Sequence, residues 1–247
     1  MTIVRCNDVK KYFLCRSGVT KAVDSVSLEI SKGDAFGLVG ESGCGKTTLG
    51  KIILGILKPD SGSVILETAK IQVIFQDPYN SLDPKMKIFD ILAEGLVIKR
   101  ESRCDIKNAI AVILDVVRLP VSALDKYPHQ FSGGERQRIA IGRAVLTSPE
   151  LIVCDEPVSS LDVTIQLEIL KIFKDIQKRF GMTYLFISHD LKVIKFICNK
   201  IAVMRQGKIL EVGTVKDIYS APSNSYTKTL LRSAFYDIIK NDGKFSL

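Results

Sequence analysis

Two apolar patterns alternate along the chain. Short apolar runs bounded by glycine and polar residues predict strands at 4–9, 26–30, 35–39 and 71–75. A run with helical spacing starts at Lys46, and Pro59, Asp60 and Gly62 supply the turn that stops it. Between residues 77 and 145 the pattern turns helical, with predicted helices at 88–98, 106–117 and 134–146. Alternation then resumes: a strand at 151–154, a helix at 163–180, a strand at 183–187, a helix from Leu191 and a strand at 200–204. Strands and helices of these lengths predict an α/β fold with a parallel sheet covered on both faces. The expected core is 1–76 with 146–247, and the expected inserted helical subdomain is 77–145.

Composition narrows the class. With 247 residues, 46% hydrophobic and 25% charged, the chain can bury one large core. No apolar run approaches the roughly 18 residues of a membrane helix, and the first residues, MTIVRCNDVKKYF, read as a strand and a polar turn with none of the order of a signal peptide. The expectation is a cytosolic chain. Six scattered cysteines without a C-x-x-C pair predict reduced thiols and no zinc site. The net charge of +8 is spread without a basic tract, which predicts a solvated surface or an anionic membrane face and no nucleic acid.

Gly40-Glu41-Ser42-Gly43-Cys44-Gly45-Lys46-Thr47 matches G-x-x-x-x-G-K-[ST], and it lies between an apolar strand and a helix start. Glycines there let successive N–H groups turn inward on phosphate, and the helix N-terminus adds a fixed positive potential. Lys46 is expected at the β- and γ-phosphates and the Thr47 hydroxyl on magnesium, with Thr48 beside it. The loop alone leaves GTPase, kinase and ATPase open. Cys44, close to a helix N-terminus, is expected to have a lowered thiol pKa.

Leu151-Ile152-Val153-Cys154-Asp155-Glu156 is an apolar strand ending in two acids. Asp155 is expected to hold magnesium and Glu156 to polarise an attacking water. The strand at 183–187 delivers His189 to the carboxyl end of a parallel sheet, the rim where such folds bind ligands.

Gln130-Phe131-Ser132-Gly133-Gly134-Glu135-Arg136-Gln137-Arg138 resembles the signature of ATP-binding cassette proteins. The resemblance runs from about Val4 to Ser233 and implies a P-loop NTPase (RecA-like) parallel-sheet core with an antiparallel β edge and a helical insertion. It further implies ATP and Mg2+ as ligands, Tyr12 (or Phe13) stacked on adenine, and Gln76 sensing magnesium and water. Ser132, Gly133, Gly134 and Glu135 would meet the γ-phosphate held by a partner's loop, with hydrolysis at Lys46, Gln76, Glu156 and His189. Residues 77–86 resemble the surface that docks a membrane subunit.

More narrowly, FQDPYNSLDP, KYPHQFSGGERQRIAI, CDEPVSSLDV and YSAPSNSYTKTLL are similar to the motors of oligopeptide, dipeptide and nickel importers. That similarity implies a second cassette subunit (a heterodimer expected, a homodimer open), two membrane permease subunits and an extracytoplasmic solute-binding protein. The chain would sit peripherally on the cytoplasmic face of the membrane. Three departures stand out: Phe131 and Glu135 in the signature, a short link at 63–71 that predicts a trimmed antiparallel edge, and an end soon after Leu231 with no cysteine-bearing extension. The alternatives are a soluble cassette ATPase acting on ribosomes or DNA, and a small-molecule kinase using the same loop.

Overall fold

A computed structural model describes residues 1–15, 18–76 and 81–242, with side chains to residue 234. In chain order the elements begin β1 (Thr2–Cys15), β2 (Gly18–Ser31), β3 (Ala35–Val39), α1 (Lys46–Ile53), β4 (Ser61–Leu66) and β5 (Ile71–Ile74). Next come α2 (Ile88–Ile98), α3 (Arg103–Val116), α4 (Gly133–Leu146), β6 (Leu151–Asp155), α5 (Val163–Phe180) and β7 (Thr183–Ser188). The last are α6 (Leu191–Ile197), β8 (Lys200–Arg205), β9 (Lys208–Thr214), α7 (Val215–Ser220) and α8 (Ser225–Asp242). The chain divides into two compact units, residues 1–67 with 184–247, and residues 68–183.

The first unit holds two sheets. In one, β1 pairs antiparallel with both β2 and β4. In the other, β3 runs parallel between β7 and β8, and β9 closes the edge antiparallel to β8. All five residues of β3 and all six of β7 are buried, so their near-continuous apolar runs are what a parallel strand covered on both faces requires. Gly37 lies in mid-strand because a Cβ there would come within 2.7 Å of Ile194 on α6, whose close approach covers that face. The link expected to trim the antiparallel edge is itself partly a strand, since Ser63, Val64, Ile65 and Leu66 of β4 pair with Asn7, Cys6, Arg5 and Val4.

In the second unit β5 and β6 form a parallel pair, and α4 lies against α2, α3, α5 and β5. Ile88, Leu92, Ile110, Ile139, Ile141, Ile169 and Phe173 are almost wholly buried, which gives this unit its own core. An ion pair between Arg138 and Glu168 ties α4 to α5. The apolar stripe of α5 ends at Gly181, which adopts φ 66 and closes the helix with its N–H on the Gln177 carbonyl. Among the described residues no helix is long and apolar enough to cross a membrane.

Candidate functional site

β3 ends at Val39 and the chain enters a loop in which Gly40, Gly43 and Gly45 have φ of 156, 79 and 110. A Cβ at Gly40 would stand 2.0 Å from the Met204 carbonyl oxygen, and one at Gly45 would stand 1.9 Å from that of Ala22. Both positions therefore exclude every other residue, because backbone closes on them from behind. At Gly43 a Cβ meets nothing within 4 Å, so the outer turn of the loop is open. Gly207 N–H donates to the Cys44 carbonyl at 2.9 Å, fixing the loop to the β8–β9 turn.

Lys46 opens α1 but its side chain turns back into the loop, 6% exposed. Its ammonium donates to the carbonyls of Gly40 at 2.7 Å and Glu41 at 2.9 Å. A cation buried this far needs acceptors around it, and carbonyls are weak substitutes for an anion. The cap residue Gly45 gives α1 no side-chain acceptor, which leaves the helix N-terminus to an external one. Thr47 is exposed beside it and Thr48 half-buried. The donor set suits phosphate oxygens, with a hydroxyl placed for a hard cation.

Cys44 differs from expectation. Its side chain is only 7% exposed, and burial pushes the thiol up, with the Lys46 ammonium only partly offsetting this. The sequence pattern registers the helix end and the lysine; it does not register that the sulfur is buried beside Gly40.

On the same unit Tyr12 sits half-buried on β1, its hydroxyl donating to Asp24 at 2.6 Å. Phe13, the other aromatic considered, is 39% exposed under the Lys11 ammonium. His189 is exposed directly after β7.

The second unit carries the remaining candidates. Asp155 is the last residue of β6, half-buried after Leu151, Ile152, Val153 and Cys154, which are at most 1% exposed. Glu156 follows at φ 51, a left-handed conformation that costs a non-glycine residue and clusters at functional sites. Its carbonyl is held by the Ser159 hydroxyl at 3.1 Å. Gln76 is exposed at the bend after β5. Asp162 caps α5 by accepting from the Ile165 N–H at 3.0 Å.

Ser132 caps α4, where Gly133 is exposed and Gly134 has Ile165 against it, so that a Cβ would lie 2.5 Å from the Ile165 Cγ2. Glu135 completes a reciprocal cap: its N–H donates to Ser132 Oγ at 3.3 Å, and its carboxylate accepts from the Ser132 N–H at 2.8 Å and hydroxyl at 2.9 Å. Those bonds, the backbone one first, hold the Glu135 carboxyl below its ordinary range. This role for Glu135 was legible as S-x-x-E before an apolar run. Residues 77–80 of the expected docking segment lie outside the described residues. Ser81 of that segment borders a pocket of about 590 Å3 lined by Gln72, Phe75, Glu94, Ile98, Arg143 and Thr147, with the Arg143 guanidinium donating to the Ser81 carbonyl at 2.7 Å.

A glycine loop wound around a buried lysine at the carboxyl end of a parallel strand defines a phosphate-loop nucleotide-binding protein. The ABC transporter family model matches residues 23–159, and the chain belongs to that family. It is 41% identical over 247 residues to the oligopeptide transport ATP-binding protein OppF of Bacillus subtilis (strain 168), a match covering 93% of this chain and 81% of the relative. It is 45% identical over 252 residues to the OppF of Lactococcus lactis subsp. lactis (strain IL1403), covering 93% and 79%. Among solved structures, cbiO1 from Clostridium perfringens, part of the ABC transporter complex cbiONQ, has the same fold, with a TM-score of 0.81 at 24% identity, covering 97% of this chain and 96% of that one.

Proposed function

We infer that the chain is the ATP-hydrolysing motor subunit of a membrane ABC importer whose cargo is peptide. The loop closed around the Lys46 ammonium carries the nucleotide half of this reading, and identity to oligopeptide transport subunits along 93% of the chain supports the transport half. Both relatives named above are transport subunits, which favours an importer over a cassette acting on ribosomes or DNA.

On ATP binding Lys46 exchanges the Gly40 and Glu41 carbonyls for β- and γ-phosphate oxygens, which makes a charge-assisted contact from two neutral ones. Gly43, Gly45 and the first N–H groups of α1 supply further donors, and Tyr12 stacks on the adenine. Thr47, Asp155 and Gln76 would hold Mg2+, which would supply charge neutralisation at the β- and γ-phosphates. Glu156 orients and deprotonates the attacking water, and His189 contributes a donor to the γ-phosphate. General-base help of this kind is worth about 10²- to 10⁴-fold in rate.

Ser132 and the glycines after it face the γ-phosphate held by a second cassette subunit, so nucleotide binding closes two motors together. Two permease subunits dock beside the pocket of Phe75, Ile98 and Arg143, and an extracytoplasmic binding protein supplies the peptide. The chain works from the cytoplasmic face of the membrane. The test is a reconstituted complex of this chain with its permease and binding protein. Peptide should stimulate phosphate release and Lys46→Ala should abolish it; hydrolysis stimulated by ribosomes or DNA and indifferent to peptide and permease would overturn the reading.

A further inference from the structure

The tyrosine expected under adenine and the loop expected around phosphate lie on different strands, yet a continuous chain of hydrogen bonds joins them. From the loop, the Cys44 carbonyl accepts from the Gly207 N–H at 2.9 Å, and the Gly207 carbonyl accepts from the Asp24 N–H at 2.8 Å. The Asp24 carboxylate then accepts from the Tyr12 hydroxyl at 2.6 Å. Two cations approach the other oxygen of that carboxylate, Lys208 at 3.5 Å and Lys21 at 3.9 Å, and the Lys21 ammonium also lies 5.4 Å from the centre of the Tyr12 ring. Asp24 is 13% exposed, so its charge is stabilised mainly by these groups. The strand bearing Asp24 also touches the loop directly, since the Ala22 carbonyl fills the space behind Gly45.

Tyr12 itself sits at an irregularity. The pairing of β1 with β2 shifts register between Lys11 and Tyr12, and such a bulge re-aims the side chain it carries. A ring aimed off a bulged strand still turns about its side-chain bonds unless its far end is held, and Asp24 holds the far end. The Tyr12 hydrogen bond draws the Asp24 carboxyl below its ordinary range, and the same bond pushes the Tyr12 hydroxyl up. Donor and acceptor roles are therefore fixed, with the phenol donating and the aspartate ionised.

We propose that Asp24 is a positioning residue that ties the adenine-stacking ring of Tyr12 to the phosphate loop through the Gly207 backbone, setting the spacing at which base and triphosphate are recognised together. This rests on the reading of Tyr12 as the adenine platform. It assigns Asp24 no contact with nucleotide. Its action falls on ligands that carry a base and spares those that are phosphate alone, which a purely structural role would not do.

The experiment measures the affinity of the full chain for ATP and for inorganic tripolyphosphate by calorimetry, with thermal midpoints alongside. Tyr12→Ala should weaken ATP by roughly 5- to 100-fold, the range of base stacking on an aromatic side chain, and leave tripolyphosphate unchanged. Asp24→Ala and Tyr12→Phe should each weaken ATP by roughly 3- to 10-fold, with tripolyphosphate again unchanged. The double variant should be no weaker than either single one, because both remove the same bond. Asp24→Asn, which keeps an oxygen acceptor, should lose least.

Asp24→Ala binding ATP as tightly as the unmodified chain, while Tyr12→Ala is weakened, overturns the tie and leaves the platform standing. So does an equal loss of ATP and tripolyphosphate with a lowered midpoint, or strict additivity in the double variant. ATP affinity unchanged in Tyr12→Ala overturns the platform and the tie together. Tyr12→Phe keeps the question decidable should Asp24→Ala fail to fold.

Discussion

Gly45→Ala is the substitution whose consequence the structure fixes most tightly. Gly45 has φ 110, and an added Cβ would stand 1.9 Å from the Ala22 carbonyl oxygen and 2.8 Å from Met204 Cε. Ordinary contact begins at 3.4 Å, so the loop or β2 must move by about 1.5 Å, and the near atom is backbone that no rotamer change can clear. The left-handed conformation adds about 1–2 kcal/mol for any residue with a Cβ. A misplacement of about 1 Å at a reacting site costs on the order of 100-fold. ATP turnover should therefore fall by about 100-fold, with a drop of a few degrees in thermal midpoint. Gly33→Ala is the control: its φ is 84 but a Cβ there meets nothing within 4 Å, so it carries the backbone strain alone. That variant should lose less midpoint and hydrolyse ATP normally. A folded Gly45→Ala chain with ATP turnover within about threefold of the unmodified one would refute the steric reasoning.

Glu156→Gln should lower phosphate release by about 10²- to 10⁴-fold with ATP affinity kept, read by single-turnover assay and calorimetry; equal loss of both would remove its role as base. A maleimide should label exposed Cys15 and Cys104 well before Cys44, which is buried with its thiol pushed up, and mass spectrometry of early time points shows the order. Burial raises the Glu211 carboxyl, but hydrogen bonds from Ser223 and Asn224 overcome it and hold the group at about 2. A folded value depressed below the unfolded value of about 4.3 means stabilisation present above that pH and lost as pH falls toward the folded value. Amide exchange at the start of α8 should therefore accelerate between roughly pH 4 and 2, and Glu211→Gln should flatten that dependence.

The elements legible in the sequence are those whose burial is total. The all-buried runs of β3 and β7 and the apolar stripe of α5 stand out without knowledge of their partners. β4 and β9 did not stand out, because their residues are largely exposed or half-exposed and β4 depends on strand partners more than fifty positions away, such as Asn7 with Ser63. Local periodicity carries no record of such pairings. The phosphate loop was legible because its chemistry is contiguous, and the signature turn because serine, glycines and glutamate sit within one helical turn. Asp24 was not, since a lone aspartate in a strand has no pattern, and its meaning comes from Tyr12, Lys208 and Gly207 converging on it. Cys44 is the reverse case: its sequence neighbours suggest activation, while the folded loop leaves its side chain only 7% exposed.

The most direct measurement is cross-linking in the assembled complex, between Ser42→Cys of this chain and a cysteine at the signature serine of the second cassette subunit, with Glu156→Gln slowing hydrolysis. ATP should bring the two positions together so that the bond forms within minutes, ADP should not, and Ser132→Cys should behave likewise against the phosphate loop of the other motor. A complex that turns over ATP while those positions never cross-link, or cross-link equally well without nucleotide, would contradict a triphosphate clasped between two motors.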